Sequence, residues 1–206
     1  MRLYIVRHGR TEWNALRKVQ GSADIPLARE GVELAVKVGR ALKNVPFDLC
    51  FTSPLIRARQ TAELMLGERA GTTVPVIPDK RIQEIDFGVL EGSRFKDENG
   101  KILSKEMEIF FMEPQYYRRP KNGESISDIL ARTRDFWEEM TNDPSLQDKT
   151  ILIASHGCAV RALLQNVYHD DPEHFWHGCV PPNCSVNLVE VHDGQAVLLE
   201  EDKVYA

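Results

Sequence analysis

The chain has 206 residues, of which 42% are hydrophobic and 28% charged, and its formal net charge is −5. This composition is typical of one globular domain with a substantial core. The acidic balance disfavours a general nucleic-acid or anionic-membrane surface, because such surfaces need a basic face. No apolar stretch is long enough to span a bilayer, and no signal-peptide pattern precedes the first apolar run. We therefore expect a cytoplasmic protein.

Six apolar runs of strand length alternate with helical patterns along the chain. The runs are RLYIV, FDLCFTS, TVPVI, TILIAS, SVNLVEV and AVLLE. Helices are predicted in EGVELAVKVGRALKNV, in PLIRARQTAELMLGERAG (ending at Gly71), in ESISDILARTRDFWEEM and in GCAVRALLQNVYH. This alternation predicts an α/β fold, a three-layer open and mostly parallel sheet with helices on both faces. The Asp-Gly pair in HDGQ predicts a final hairpin, and so an antiparallel edge.

The segment from about residue 88 to residue 123 breaks the alternation of strands and helices. It is polar, aromatic and irregular, and it ends in FFMEPQYYRRPKNG. A connection of this length inside a compact domain is usually functional. We therefore predict a single domain over residues 1–206, with an irregular or helical insertion at about 88–123 that covers the active site and binds substrate.

Three predicted strands end in residues with similar chemistry. The first ends in Arg7-His8-Gly9 and the fourth in Ser155-His156-Gly157, whereas the second leads through Ser53-Pro54 into a helix whose first turn holds Arg57. We expect Ser53 to cap that helix and Pro54 to begin it. Ligands bind at the carboxyl ends of the strands in open α/β sheets, so these groups should share one pocket. Arginines, histidines and helix amino ends together indicate a phosphate site.

The positive charge of this pocket is predicted to come from the protein itself. There is no glycine-rich Walker loop and no carboxylate cluster suited to Mg²⁺, so neither a metal nor a cofactor is expected. The spacing of Cys50, Cys158, Cys179 and Cys184 matches no zinc pattern. All four are predicted to be small buried residues without disulfides, with a reactive Cys158 as the minor alternative.

A histidine with an unprotonated nitrogen is a workable nucleophile toward phosphorus. For His8, the charges of Arg7 and Arg57 disfavour the imidazolium and keep the ring neutral. One carboxyl group with a raised pKa can then protonate the leaving alcohol and later activate water. Glu84 in RIQEIDFGVLEG is the candidate, and Asp86 and Glu91 are alternatives by sequence alone.

Across essentially its whole length, the chain resembles the phosphoglycerate mutase-like branch of the histidine phosphatase superfamily. The matching motifs are VRHGRTEWN, QGSADIPLAREG, TSPLIRARQTAE, EIDFGVLEG, NGES and ASHG, in order and with compatible spacing. The resemblance implies that His8 becomes phosphorylated, that Glu84 is the acid/base, and that no metal is used. It implies a phosphate site formed by Arg7, Arg57 and His156 and completed by Asn14, Gln20 and Gly21. Gly157 joins them because a glycine lets the backbone approach a ligand closely.

Two departures from the family pattern bear on the reaction. Arg10 stands where many members carry an acidic residue, and it either adds charge at the rim of the pocket or faces solvent. The insertion is shorter than the mutase version and shows SRFKDENGK after Leu-Glu-Gly. A reduced cover admits water, which favours a phosphatase acting on a small phosphorylated metabolite. The alternatives are a cofactor-dependent phosphoglycerate mutase and a non-catalytic module that binds a phosphorylated ligand.

Two further groups and one loop residue leave their roles open. Tyr116, Tyr117, Arg118 and Arg119 either bind a second anionic group of the substrate or pack the insertion. His169, His174 and His177 are possible metal ligands, but a helix start capped by Asp171 with Pro172 explains that segment as well and is favoured. Asn183 in PPNCS is a candidate to reach the site from a loop.

Overall fold

Six strands form one mixed sheet at the centre of the molecule. The computed structural model describes residues 1–67 and 73–205. The strands are β1 (Arg2–Arg7), β2 (Leu49–Thr52), β3 (Val76–Pro78), β4 (Thr150–Ser155), β5 (Val186–His192) and β6 (Gln195–Lys203), in the spatial order β3-β2-β4-β1-β5-β6. The first four are mutually parallel, whereas β5 runs antiparallel to both β1 and β6. The predicted mostly parallel sheet with an antiparallel edge is confirmed.

Helices cover both faces of this sheet. They are α1 (Glu12–Ala15), α2 (Arg29–Ala41), α3 (Ile56–Gly67), α4 (Lys105–Met112), α5 (Ile126–Asn142) and α6 (Gly157–Tyr168). Four of them were predicted individually, α4 lies in the insertion that was predicted to be irregular or helical, and α1 was not predicted. The predicted end of the third patterned helix at Gly71 lies outside the described residues. Among the described residues, no helix has the length and hydrophobicity needed to cross a membrane.

The alternation of side chains along β1 divides the core into two halves. Leu3 and Ile5 pack with residues of α5 and α6 on one face, whereas Tyr4 and Val6 pack with residues of α2 and α3 on the other. Full burial of an aliphatic side chain of this size stabilises the fold by about 1.5–3 kcal/mol. The run LYIV is therefore apolar throughout because both faces of its strand are covered.

The turn between β5 and β6 has the predicted hairpin geometry. Asp193 and Gly194 have φ angles of 49° and 76°. A two-residue turn with positive φ at both positions matches the right-handed twist of the strands, which is why Asp-Gly is favoured there.

The insertion packs as a third hydrophobic cluster against the amino-terminal half of α6. It contains α4 and two short 3₁₀ turns, Gly88–Leu90 and Pro114–Tyr116. The Phe110 ring lies 4.8 Å from that of Tyr117 and 5.1 Å from that of Trp176, and the indole nitrogen of Trp176 donates to the Phe110 carbonyl at 2.8 Å. This cluster also includes Cys158 and Ala159 of α6. The segment thus lies beside the carboxyl end of β4.

The four cysteines are free thiols, and three of them occupy the environment predicted for them. Cys50, Cys158 and Cys184 are buried, whereas Cys179 is exposed. The prediction of burial was wrong for Cys179 because this residue lies in the loop after α6, on the wall of a surface cavity.

Candidate active site

The imidazole of His8 lies just beyond β1 with one ring nitrogen already bonded. Its Nδ1 is 2.7 Å from the carbonyl oxygen of Gly9. In a neutral ring, Nδ1 must carry the proton to make this bond, which leaves a lone pair on Nε2. The Gly9 N–H donates to the Thr61 hydroxyl at 2.9 Å and fixes the turn. The ring therefore has the tautomer that a nucleophilic Nε2 requires.

Burial and nearby arginines keep both site histidines neutral. Burial is the largest influence on the pKa of His8 and holds it well below the usual range, with further lowering by Arg57 and Arg7. The pKa of His156 is lowered in the same way, by burial first and then by Arg57. The rings lie 5.2 Å apart. Two imidazolium ions at that distance would repel each other, so the neutral forms are favoured.

The guanidinium of Arg57 is fully buried in the first turn of α3. Two of its nitrogens donate to the carbonyl oxygens of Gly21 (2.6 Å) and Ala23 (2.7 Å), and its Nε donates to Nδ1 of His156 at 3.1 Å. Within the described part of the chain, no carboxylate lies within ion-pair distance of this group. Burial lowers its pKa to about 10. Because buried charges are normally paired, the arrangement indicates an anion site.

Arg7 presents a donor without a partner. Its Nη1 donates to the Pro181 carbonyl at 2.5 Å, but its buried Nε has no hydrogen-bond partner. A Cβ added to Gly157 would lie 3.5 Å from that nitrogen, so the glycine allows close approach. An oxyanion would satisfy the free N–H, since a buried unpaired donor is costly.

His156 supports its neighbours in this structure. Its Nδ1 accepts the Arg57 bond, so Nε2 carries the proton and donates to the Ser53 hydroxyl at 2.7 Å. Ser53 also accepts the N–H of Leu55 at 3.3 Å, but α3 begins at Ile56, so the prediction that Pro54 starts the helix was wrong. The Ser53–His156 bond was missed, because sequence reasoning assigned Ser53 to capping alone.

The structure separates Glu84 from its two alternatives. Glu84 is 9% exposed and accepts backbone N–H groups of Cys158 and Ala159, each at 3.1 Å, at the amino end of α6. Burial raises its pKa despite these bonds and the charges of the nearby arginines. Asp86 instead accepts the Gly88 N–H, and Glu91 accepts N–H groups from the 21–23 loop. Of the three, only Glu84 lines the cavity that Arg7 also lines.

Of the remaining predicted phosphate ligands, Asn14 and Gln20 line the cavity and Gly21 does not. Gln20 accepts the Thr11 hydroxyl at 2.6 Å, and its buried amide nitrogen has no partner. The N–H of Gly21 donates to Glu91 and its carbonyl accepts from Arg57, so this glycine offers no free donor. The loop candidate Asn183 does reach the site, where its amide donates to the His8 carbonyl at 3.0 Å.

A cavity of about 480 Å³ connects Arg7 and Glu84 with the insertion. His8, Arg57 and His156 do not line this cavity and are at most 3% exposed. The cavity wall also carries Lys18 and Lys96, which the sequence did not single out. The larger apolar residues of the wall are Val19, Phe87, Phe95, Ile102, Met107, Phe110, Phe111, Met112, Trp176 and Val180.

The predicted insertion residues Tyr116, Tyr117, Arg118 and Arg119 do not line this cavity. Tyr117 is buried in the aromatic cluster, and Arg119 pairs with Asp128. These two side chains therefore pack or brace the insertion. The aromatic run FFMEPQYYRRPKNG marked this insertion, but its pattern could not show that Phe110 and Phe111, and not the tyrosines, line the wall.

The three histidines after α6 do not form a metal site together. His177 stacks on Tyr168 and lies 2.7 Å from a carboxylate oxygen of Asp170. Among the described residues, the candidate ligand group is Asp171, Glu173 and His174, all exposed. Asp171 precedes a short 3₁₀ turn, Pro172–His174, but its side chain makes no capping bond there.

Arg10 is exposed and is not part of the cavity wall. The fold uses its backbone, because the Arg10 carbonyl accepts the N–H of Ala28 at 2.9 Å. Of the two alternatives for this residue, the structure supports a side chain that faces solvent.

Comparison with known proteins identifies the family. A model of the histidine phosphatase superfamily (branch 1) matches residues 3–202. A 2,3-bisphosphoglycerate-dependent phosphoglycerate mutase from Nitrobacter hamburgensis is 38% identical over 173 residues, which are 83% of each chain. The two chains are thus nearly equal in length, so total length does not separate this protein from a relative named as a mutase.

Solved structures with the same fold include a named phosphatase. YhfR from Bacillus stearothermophilus superposes with a TM-score of 0.86 at 29% identity, over 98% of this chain and 97% of that chain. A phosphoserine phosphatase mutant from Entamoeba histolytica, in complex with phosphoserine, superposes with a TM-score of 0.79 at 28% identity, over 97% of this chain and 95% of that chain. The chain belongs to the histidine phosphatase superfamily, whose members are phosphoryl-transfer enzymes.

Proposed function

We propose that this protein is a phosphatase that hydrolyses small phosphomonoesters through a phosphohistidine on His8, without a metal ion. Nε2 of His8 attacks the phosphorus in line as the P–O bond to the alcohol breaks, and Glu84 donates its proton to the departing oxygen. The ionised Glu84 then takes a proton from water, which attacks the phosphorus. The P–N bond breaks, its electron pair returns to Nε2, and phosphate leaves.

Arg7 and Arg57 supply the charge that the transferring phosphoryl group needs. Donors already in place at developing negative charge are the main source of rate enhancement in phosphoryl transfer. The free Nε–H of Arg7 and the amide of Gln20 are buried donors without a partner. We assign both to phosphoryl oxygens. In this assignment His156 orients Arg57 through the bond to its Nε, with Asn14 and Gly157 at the edge of the same site.

The observation that favours a phosphatase is the apolar wall of the cavity. Phe95, Phe111 and Trp176 line the same cavity as Arg7. A hydrocarbon leaving group gains from burial against such a wall, at about 0.8 kcal/mol per methylene. A phosphoglycerate offers the wall a carboxylate and a hydroxyl group instead, and burying these groups without partners costs free energy. The insertion that carries much of this wall is assigned the role of a substrate cap.

A phosphoglycerate mutase is the second candidate, and one observation favours it. Lys18 and Lys96 line the same cavity, and neither has a carboxylate within ion-pair distance among the described residues. Each ammonium instead lies over an aromatic ring, 5.4 Å from Trp13 and 5.7 Å from Phe95. Two free cations would suit the carboxylate of a phosphoglycerate.

The test is a phosphate-release screen over phosphorylated metabolites and alkyl phosphates, with and without chelator. We expect release that is insensitive to chelator, with kcat/KM rising about fourfold per methylene from ethyl to butyl phosphate, the ratio that corresponds to the burial energy of one methylene. Interconversion of phosphoglycerates stimulated by a bisphosphorylated primer, with little release, would establish the mutase instead. Binding of phosphate esters without turnover would establish the non-catalytic module.

Replacement of the nucleophile tests the mechanism itself. His8→Ala is expected to abolish turnover and the acid-labile phosphoenzyme that the wild type forms on rapid quenching. His192→Ala, in the exposed β5–β6 hairpin, is the matched control and should keep full activity. Glu84→Gln should slow alkyl esters far more than 4-nitrophenyl phosphate, whose leaving group needs no proton. Full activity of His8→Ala would refute the mechanism.

A further inference from the structure

We infer that Arg161 is a positioning residue for Arg7, acting through the five-residue segment 179–183. The inference rests on the proposed function only in taking Arg7 as a ligand of the phosphoryl group. Arg161 is in α6 and is fully buried. It does not line the cavity, so it does not touch the substrate.

The guanidinium of Arg161 holds the beginning of that segment. Its Nε and one terminal nitrogen donate to the Cys179 carbonyl at 2.9 and 2.8 Å. Two N–H groups of one planar fork that converge on a single oxygen fix that oxygen in position. The same fork is anchored on β6, where it lies 2.5 Å from a carboxylate oxygen of Asp202 and 3.2 Å from one of Glu201.

The other end of the segment holds the catalytic groups. The Pro181 carbonyl accepts Nη1 of Arg7 at 2.5 Å, and the Asn183 amide donates to the His8 carbonyl at 3.0 Å. Two residues, Val180 and Pro181, separate the Cys179 carbonyl from the Pro181 carbonyl, and the ring of Pro181 fixes its φ angle, so this part of the segment has little freedom. We therefore expect a displacement of the Cys179 carbonyl to displace the Pro181 carbonyl and, with it, the guanidinium of Arg7.

Arg7 has few other contacts that fix its direction. Its bond to the Pro181 carbonyl is its one hydrogen bond from the side chain within the described structure, and its Nε is free for a ligand. If the Pro181 carbonyl moves, the free Nε–H moves with the guanidinium. Loss of Arg161 should therefore weaken phosphate binding and turnover together.

A double-mutant cycle distinguishes positioning from general stabilisation. The measurements are the calorimetric Kd for inorganic phosphate and kcat/KM for one alkyl phosphate, on wild type, Arg161→Met, Arg7→Met and the double variant. We expect Arg161→Met alone to lower kcat/KM by about 10- to 100-fold, the loss that follows a misplacement of about 1 Å. In the Arg7→Met background, the Arg161→Met substitution should lower kcat/KM by less than about threefold, because the effects of two residues that act through each other are not additive.

Two further variants make the result decisive. Asp202→Asn keeps an oxygen for Arg161 but weakens its anchor, and it replaces Arg161→Met in the cycle if that variant does not fold. Arg81→Met is the matched control: it removes another ion-pair network, with Asp79, Asp135 and Glu139, that makes no contact with residues 179–183 among those described. Its effects should add to those of Arg7→Met.

Additive losses of Arg161→Met and Arg7→Met would overturn the inference, as would equal non-additivity for Arg81→Met. The phosphate-binding arm keeps the inference separate from the proposed function. If the wild type turns over no ester but its phosphate affinity shows the coupling between Arg161 and Arg7, then the phosphatase proposal fails and the positioning role stands.

Discussion

Two fully buried arginines, Arg57 and Arg161, have opposite surroundings. Arg57, in α3, donates to two carbonyl oxygens and to His156, and no carboxylate pairs with it in the described structure. Arg161, in α6, pairs with Asp202 and Glu201. Burial lowers the pKa of Arg57 to about 10, whereas for Arg161 the acidic partners outweigh the lowering by burial and raise the pKa.

The difference separates a buried charge that the fold pairs with carboxylates from one that it leaves without a counter-ion among the described residues. A buried charge with counter-ions is already neutralised, so its role is limited to holding neighbouring groups in position. A buried charge without one leaves a positive potential in a low-dielectric site, and an anion that enters is bound strongly. The residue type is the same in both cases, so the partners decide the role.

The largest expected effect is a reversal between the two arginines. Arg57→Met should lower kcat/KM by about 100- to 1,000-fold, the loss typical of a removed transition-state donor. Arg161→Met should lower it less but should reduce the free energy of unfolding more, by up to about 3–5 kcal/mol, because the partly buried Asp202 carboxylate and the Cys179 carbonyl both lose their partner. Activity assays and urea unfolding on the two variants check this order.

Added phosphate provides the control for that reversal. It should raise the Tm of the wild type most and that of Arg161→Met less, but it should have little effect on Arg57→Met, because only binding to the native state stabilises. The same rank order of the two variants in activity and in stability would contradict the comparison.

The pH dependence of stability is the next effect in size. Folded His8 and His156 have a pKa well below that of an unfolded histidine, so the unfolded chain binds protons first as the pH falls. The free energy of unfolding should therefore fall below about pH 6.5, by up to about 1.4 kcal/mol per pH unit for each histidine. Urea unfolding at pH 7.5, 6.5 and 5.5 measures the slope.

The two arginines should affect this slope differently. Arg57 lowers the pKa of both histidines, so the loss of stability toward acid should be smaller in Arg57→Met, where the folded histidines accept protons closer to pH 6.5. Arg161 is not among the groups that shift either histidine, so Arg161→Met should keep the wild-type slope. Equal slopes in all three proteins would show that burial alone keeps the rings neutral.

The smallest effect is expected for Arg10, an exposed arginine shortly after β1. Arg10→Gln should change kcat/KM by less than about twofold, because a solvated charge outside the cavity interacts weakly with a ligand. Gly31→Ala is the contrasting variant, because a Cβ there would lie 2.1 Å from the Arg10 carbonyl. It should lower stability and activity, which would show that the backbone of Arg10 matters and its side chain does not.

Much of the candidate site followed from local sequence. Arg7, His8 and His156 stand at the ends of apolar runs that become β1 and β4, which pair in parallel from Arg2 and Thr150 to Arg7 and Ser155. Parallel pairing in register places the residues that follow side by side, so periodicity alone brings the two histidines together. The antiparallel edge was predictable for the same reason, since Asp-Gly specifies its own turn.

Glu84 shows where local reasoning ends. Its sequence neighbours Asp86 and Glu91 are chemically equivalent, and only the resemblance to a family separated them before folding. In the structure, Glu84 is distinguished by its burial and by its bond to the N–H of Cys158, at the amino end of α6 and 74 residues later in the chain. Large separations in sequence also explain why the contacts of Arg161 and the residues of the cavity wall could not be predicted from the sequence.

The sequence by itself determined the sheet, the helices on its faces and the placement of the histidines and Arg57 at one edge, because alternation, helical periodicity and turn residues act over a few positions. The tertiary structure decided which buried charges have partners: Arg57 has none of opposite sign in the described structure, and Arg161 has two. That outcome depends on segments far apart in the chain, since a charge is neutralised by whatever the fold packs within a few ångströms of it.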